Sequence, residues 1–308
     1  MTGFEGMSCS AAAAVDIPLP GSATRVSGWL CVEHPGAWGR DVIGDEVLGA
    51  RITTELAART KAARVRPTLI RRPGRSEFTG ARTVLLAATR PEGSWCERLE
   101  ITDLEQLLDL DLHLLNGPAP GIGVPVPDPV VLVCAHGKRD QCCALLGRPI
   151  AARLAAEHPE KVWECSHTGG HRFAPAMVLL PSGLTYGRVD ADAALEAVAA
   201  VGRNELSLDG FRGRSCYAPV EQVAEIAVRE RLSPESLELG ELAVTPAPDA
   251  VASYDPATFA GAALVTHRDG RRWLVTARTV AHAPRQASCG AAPKPAAAIV
   301  AGEPRLLS

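Results

Sequence analysis

Apolar and polar positions along this chain repeat one order of elements twice. Residues 26–32, VSGWLCV, alternate as a strand does, and a turn-rich loop, EHPGAWGRD, follows. Val47, Leu48, Ile52 and Leu56 then recur near helical spacing, which predicts a helix over 46–65 that Pro67 stops. Three short apolar runs follow as strands (TLIRR, RTVLLAATR and SWCERLEI), and a helix is predicted over DLEQLLDLDLHLL, closed by Gly117-Pro118. Past the Pro/Gly segment GPAPGIGVPVPDP the same order returns. It runs through the strand VVLVCA, a helix from Asp140, the strands VWECS, APAMVLL and LTYGRV, and the helix ADAALEAVAAV.

The fold class that follows is α+β, with two thioredoxin-like units in tandem, each strand–helix–three strands–helix, and a small C-terminal β appendage. The expected divisions are a flexible N-terminus at 1–22, a first unit at 23–117, a Pro/Gly linker at 118–128, a second unit at 129–235 and a β region with tail at 236–308. Within the second unit FRGRSCYAP reads as a Gly/Arg-rich turn before an amphipathic helix. Asp269-Gly270 marks a hairpin, and the stretch from Pro284 reads as an Ala/Pro-rich tail or edge segment.

Composition narrows the chemistry. With 308 residues, 46% apolar and 22% charged, the chain can bury more than one core. A net charge of −3 gives no reason to expect nucleic acid or an anionic membrane as partner. The first twenty residues lack the positive region of a signal peptide, and no apolar run reaches a membrane span, so a cytoplasmic, reducing setting is expected. In that setting nine cysteines point to metal binding or thiol chemistry before disulfides.

One stretch concentrates that chemistry. Cys134 ends a strand, Cys142 and Cys143 sit near a helix start, and His167 and His171 flank Thr168-Gly169-Gly170 after a second strand. Helix N–H groups with Lys138 and Arg139 favour thiolates there, and small glycines let the backbone approach a bulky group. Mixed thiolate and imidazole donors suit zinc, or a 2Fe-2S cluster with Rieske-type ligands, and the spacing is not that of a zinc finger. A thiol-disulfide enzyme on the same scaffold is a further reading, although C-x-x-C is absent.

CAHGKRDQCC…HTGGHR, with VEHPGAWGRD upstream and SCYAP downstream, resembles the sucrase/ferredoxin-like family, which includes the fungal actin-patch-distribution proteins. The resemblance implies a thioredoxin-like ferredoxin domain with a 2Fe-2S cluster. Its cysteine pair falls on Cys134 and Cys143, and its histidine pair on His167 and His171. No paired-carboxylate site supports sugar cleavage. Electron transfer, or one component of an oxidoreductase, is therefore expected over hydrolysis, with a redox partner the sequence does not name. Histidine ligation implies a potential above that of an all-cysteine ferredoxin, falling as pH rises.

Other residues take plainer readings. Cys142 competes with Cys143, but neighbours on a helix diverge, so Cys143 is preferred. Cys165 reads as a buried apolar cysteine. His136 reads as an exposed or turn-capping imidazole before a donor to the cluster, and Asp140 as a helix cap. Cys31 and His34 read as core and loop residues rather than a degenerate second site. Arg71, Arg72 and Arg75 read as a solvated loop before an anion-binding turn. Cys9, Cys96, Cys216 and Cys289 show no ligand spacing, and His267 and His282 read as surface residues.

Overall fold

Strand faces decide how this chain packs. A computed structural model describes residues 4, 6–74, 78, 80–233, 237–248 and 257–307. A short helix, α1 (Cys9–Ala14), precedes β1 (Gly28–Glu33), α2 (Ala50–Ala63), β2 (Val65–Arg71), β3 (Arg82–Ala88), β4 (Trp95–Ile101) and β5 (Val124–Pro125). The second run is β6 (Val130–Cys134), α3 (Gln141–Glu157), β7 (Val162–Cys165), β8 (Ala176–Leu180), β9 (Leu184–Gly187), α4 (Ala191–Gly202), β10 (Phe211–Arg214) and α5 (Pro219–Leu232). Last come β11 (Leu242–Pro246), β12 (Phe259–His267), β13 (Arg272–Gln286), β14 (Pro293–Ala301) and β15 (Arg305–Leu306).

The first ten strands form one mixed sheet, ordered β10-β9-β8-β6-β7-β2-β1-β3-β4-β5. Each half has the same pattern. A parallel pair (β1 with β2, β6 with β7) is flanked by an antiparallel strand (β3 on β1, β8 on β6) and then by its hairpin partner. The halves join where β2 and β7 pair antiparallel, Ile70 opposite Cys165 and Arg71 opposite Glu164. Side chains on successive strand positions point to opposite faces. Leu30 and Val32 enter the core under α2, and Val131 and Val133 enter the core under α3 and α4. Trp29, Cys31, Leu132 and Cys134 face the other way into a third core that runs across the seam.

Four expectations change. The N-terminal 1–22 segment carries α1, capped by Ser8 and buried at Cys9, Ala12 and Ala13, rather than being a flexible lead-in. The helix predicted over 103–115 is two 3₁₀ turns, Leu104–Leu108 and Leu112–Asn116. Asp103 and Asp111 each accept a backbone N–H as caps and so divide the segment. Within the Pro/Gly linker, β5 pairs with β4, and Gly121, Ile122 and Gly123 donate N–H bonds to the buried Glu97 carboxylate. The Gly/Arg-rich turn is the strand β10. The stretch from Pro284 takes the second of its two readings, an edge segment, since β14 pairs with β13 at the edge of its sheet.

The C-terminal region is an antiparallel sheet, β11-β12-β13-β14, with β15 on β13. Val244, Ala263, Val265, Trp273 and Val275 pack against Ala224 and Val228 of α5. Arg214 and Arg229 both bond the buried Glu225, at 2.9 and 3.1 Å. His267 is buried beside Asp269 and Glu241, and His282 faces Asp16 at 3.4 Å, so neither is a plain surface residue. Among the described residues no helix is long and apolar enough to cross a membrane.

Candidate metal centre

The centre lies where β6 runs into α3. Cys134 closes β6, a loop turns through His136 and Arg139, and Asp140 caps α3 by accepting the Cys142 N–H at 2.9 Å. Neighbours at a helix start diverge by about 100°. Cys142 and Cys143 accordingly enter different groups. Donor atoms of Cys134, Cys143 and His167 lie within 4.8 Å of one another, and so, separately, do those of Cys9, Asp140, Cys142 and Cys289. His171 stands between the two. Its ring centroid is 5.3 Å from that of His167, and its Nδ1 lies 3.3 Å from Asp140 Oδ2 and 3.6 Å from Cys9 Sγ.

Of the four residues that the family resemblance designates, three therefore converge, and His171 adjoins them with one nitrogen turned to Asp140. The turn that carries both histidines is tightly confined. Gly169 and Gly170 have φ of 101° and 75°, and a Cβ on either would strike Thr24 or Arg212. Arg212 is fully buried, donates to Ser22 and Gly169 O, and lies over the Phe173 ring; burial brings its pKa down to about 9. It fixes the path of the loop from behind.

His136 is 2% exposed, which overturns its reading as an exposed imidazole. The His167 N–H donates to its Nδ1 at 3.1 Å, so Nε2 carries the proton and donates to Gly39 O at 3.0 Å. Arg66 of β2 donates to His167 O at 2.6 Å. Arg66 of the first half and His136, itself anchored on Gly39 of the first half, thus hold the His167 backbone from both sides. A cleft of about 240 Å³ lined by Arg40, Asp41, Arg66 and Arg139 opens onto His167.

The charge state of each thiol follows from its neighbours. Cys134 is held well below the ordinary thiol range, first by the Cys143 thiol donating to it and then by the His167 imidazole. Cys143 is pushed up as the partner that keeps its proton. In the second group burial raises Asp140, but bonds from the Cys289 N–H, the Ser288 hydroxyl and the Cys142 N–H outweigh it and hold the carboxyl at about 2. Burial and that carboxylate push Cys9 up, and burial pushes Cys142 up.

The donor set fits a metal group in the first site. It offers two sulfurs and an imidazole, and His167 Nδ1 is buried with no hydrogen-bond partner. Thiolate with imidazole serves zinc and 2Fe-2S clusters alike.

The remaining candidates settle into structural roles. Cys31, Cys96 and Cys165 line the shared core, and Cys31 with His34 belongs to neither metal-ligand group. Arg71 pairs with Glu164 and stacks on Trp38, while Arg72 donates to Pro159, Glu160 and Val162 carbonyls and stacks on Trp163. Both fasten the two halves and neither forms an anion turn; Arg75 lies outside the described residues. Cys9 and Cys289 were not legible as site residues, because they reach it from far along the chain. The one local signal was the vicinal cysteine pair, whose second member needed a face of its own.

Fold and site together define an α+β protein with two sulfur-rich ligand groups at the start of one helix. Its residues 19–213 match the sucrase/ferredoxin-like family, and the chain belongs to that family. Among curated proteins and solved structures nothing matched significantly.

Proposed function

We propose that this chain is a one-electron redox protein whose second half is a thioredoxin-like ferredoxin unit. Cys134, Cys143, His167 and His171 would hold a 2Fe-2S cluster. The observation that carries this reading is the convergence of Cys134, Cys143 and His167, with His171 alongside, on the positions that the family resemblance designates. The strand order repeated in each half supports two thioredoxin-like units. When bound, the cluster supplies a centre that accepts and releases a single electron.

The protein residues set how that centre behaves. Cys134 and Cys143, each 1% exposed, would be the buried ligands of the cluster, and the more exposed histidines would be its ligands on the solvent side. Imidazoles are neutral where thiolates are anionic, so the ligand set carries less negative charge than four cysteines and favours the reduced state. His136 and Arg66 clamp the His167 backbone and limit its movement between redox states. Arg40, Arg66 and Arg139 make the cleft beside His167 suited to an acidic redox partner.

Iron and sulfide analysis of aerobically purified protein, with absorption and EPR spectra, tests the reading. Two irons per chain and visible charge-transfer bands are expected, and zinc at this site without iron would overturn it. His171→Cys is expected to keep the cluster and lower its potential; an unchanged potential would remove His171 from the ligand set.

A further inference from the structure

The group on the other side of α3 has a geometry of its own. Cys142 Sγ lies 3.7 Å from Cys9 Sγ and 3.3 Å from Cys289 Sγ, and Cys9 Sγ lies 3.6 Å from both Asp140 oxygens. In a tetrahedral zinc site with Zn–S near 2.3 Å and Zn–O near 2.0 Å, the edges are about 3.8 Å for S–S and about 3.5 Å for S–O. The Cys9–Cys142 and Cys9–Asp140 separations lie close to those edges, and the Cys142–Cys289 contact is about 0.5 Å shorter than its edge. We propose that Cys9, Cys142, Cys289 and Asp140 form a second, structural site for one zinc ion, distinct from the redox centre and adjoining it through His171.

Three observations support a built site rather than a chance meeting of thiols. The four residues come from α1, from the cap and first turn of α3, and from the turn between β13 and β14, so separate elements have been brought to one point. The side chain of Asp140 is fully buried, and its oxygens are oriented by the N–H groups of Cys142 and Cys289 and the Ser288 hydroxyl. The Cys9 N–H also donates to Cys289 Sγ at 3.4 Å, which turns that sulfur inward. Closed sites of this kind, with soft sulfur donors and no open position, are structural rather than catalytic.

Binding is a simple exchange. Each Zn–S bond forms as the corresponding Sγ–H proton leaves to solvent, and Asp140 contributes an oxygen already ionised. The ion would bind α1 and the β13–β14 turn to the start of α3. It would also hold the Asp140 carboxylate in place beside His171 Nδ1. Cys289, the one partly exposed member, and the neighbouring partly exposed His171 leave a route of entry.

The test uses the full chain, expressed with iron and zinc supplied and purified under reducing conditions without chelator. Elemental analysis is expected to give about one zinc per chain beside the iron, and the zinc K-edge about three sulfur neighbours and one lighter donor. Cys9→Ser, and separately Cys289→Ser, is expected to cut zinc at least about tenfold with iron per chain unchanged. Absence of zinc would overturn the proposal, and so would a Cys142–Cys289 disulfide found by alkylation and mass spectrometry. A zinc edge with two sulfur and two nitrogen neighbours would place the ion on Cys134, Cys143 and the histidines. That result would overturn the redox reading as well, whereas missing iron with a three-sulfur zinc signal would overturn that reading alone.

Discussion

The two halves of the ten-stranded sheet share a strand order and differ in what their loops do. At the end of β6 a short loop caps α3 with Asp140 and delivers two cysteines into two ligand groups. At the end of β1 the matching loop is long. Trp38 lies over Arg71 and edge-on to His136, and Gly39 accepts from His136. The end of β7 leads to the two histidines, while the end of β2 leads to arginines that grip the other half. A repeated scaffold thus lets one copy carry the groups that could hold a metal and the other wall them in. The first copy is better understood as a lid and a clamp than as a site that has lost its metal.

The sharpest way to break that contrast is to exchange equivalent cysteines for serine. Cys134→Ser is expected to abolish the iron content and visible absorption of purified protein, because a buried hydroxyl is a poor substitute for a thiolate. Cys31→Ser, in the first copy, is expected to cost stability in urea unfolding and leave iron per chain unchanged. Loss of iron from both variants would mean that the halves are not specialised in this way.

A second test addresses what the second half has and the first lacks, the helix α5 with its buried Glu225. Glu225→Gln removes the buried carboxylate that Arg214 and Arg229 share, and a loss of about 3–5 kcal/mol in urea unfolding is expected. The pH dependence has a definite sign. Burial would raise the Glu225 pKa, but the two arginines outweigh it and hold it below the ordinary value. Its contribution is therefore full above the unfolded carboxyl pKa of about 4.3 and is lost as pH falls through the lower folded value. The wild-type protein should lose more stability over that acid range than the Gln variant, and equal losses would exclude this role for Glu225.

The smallest effect is expected at the seam. Arg71→Ala removes the pair with Glu164, 8% exposed on its side chain, and the stacking on Trp38. A cost of about 1–3 kcal/mol is expected, measured by chemical unfolding. The same variant should raise hydrogen exchange in the loop around Gly39 if that loop is held across the seam.

Much of this was legible in the residues. Runs such as VVLVCA and APAMVLL could only be buried strands, and the doubled order of elements foretold the doubled sheet. Cys134, Cys143 and His167 met because two strand ends and one helix start are adjacent wherever a parallel pair is joined by a crossover helix. Local pattern could not reveal what long separation brings together. Cys9 and Cys289 sit in unremarkable Ser-Cys contexts, and only the packing of α1 and the β13–β14 turn on α3 gives them partners. His136 was misjudged for the same reason, since its partners are Gly39 and His167. The helix expected at 103–115 failed on a local ground: Asp103 and Asp111 compete for backbone N–H groups that a continuous helix would use.

The position of Cys289 also bears on the order of assembly. The residues proposed for the redox cluster have all been synthesised once His171 has left the ribosome, whereas the second sulfur group must wait for Cys289, 118 residues later (289 − 171). At ordinary elongation rates of about 5–20 residues per second, that leaves several seconds in which the first set of ligands exists without its neighbour. During that interval Cys142 has neither Cys289 nor the finished packing of α1 to confine it, and it stands beside Cys143 as a rival thiol. Faithful loading of iron would then depend on timing: whether delivery precedes or follows the docking of the last hairpin on α3.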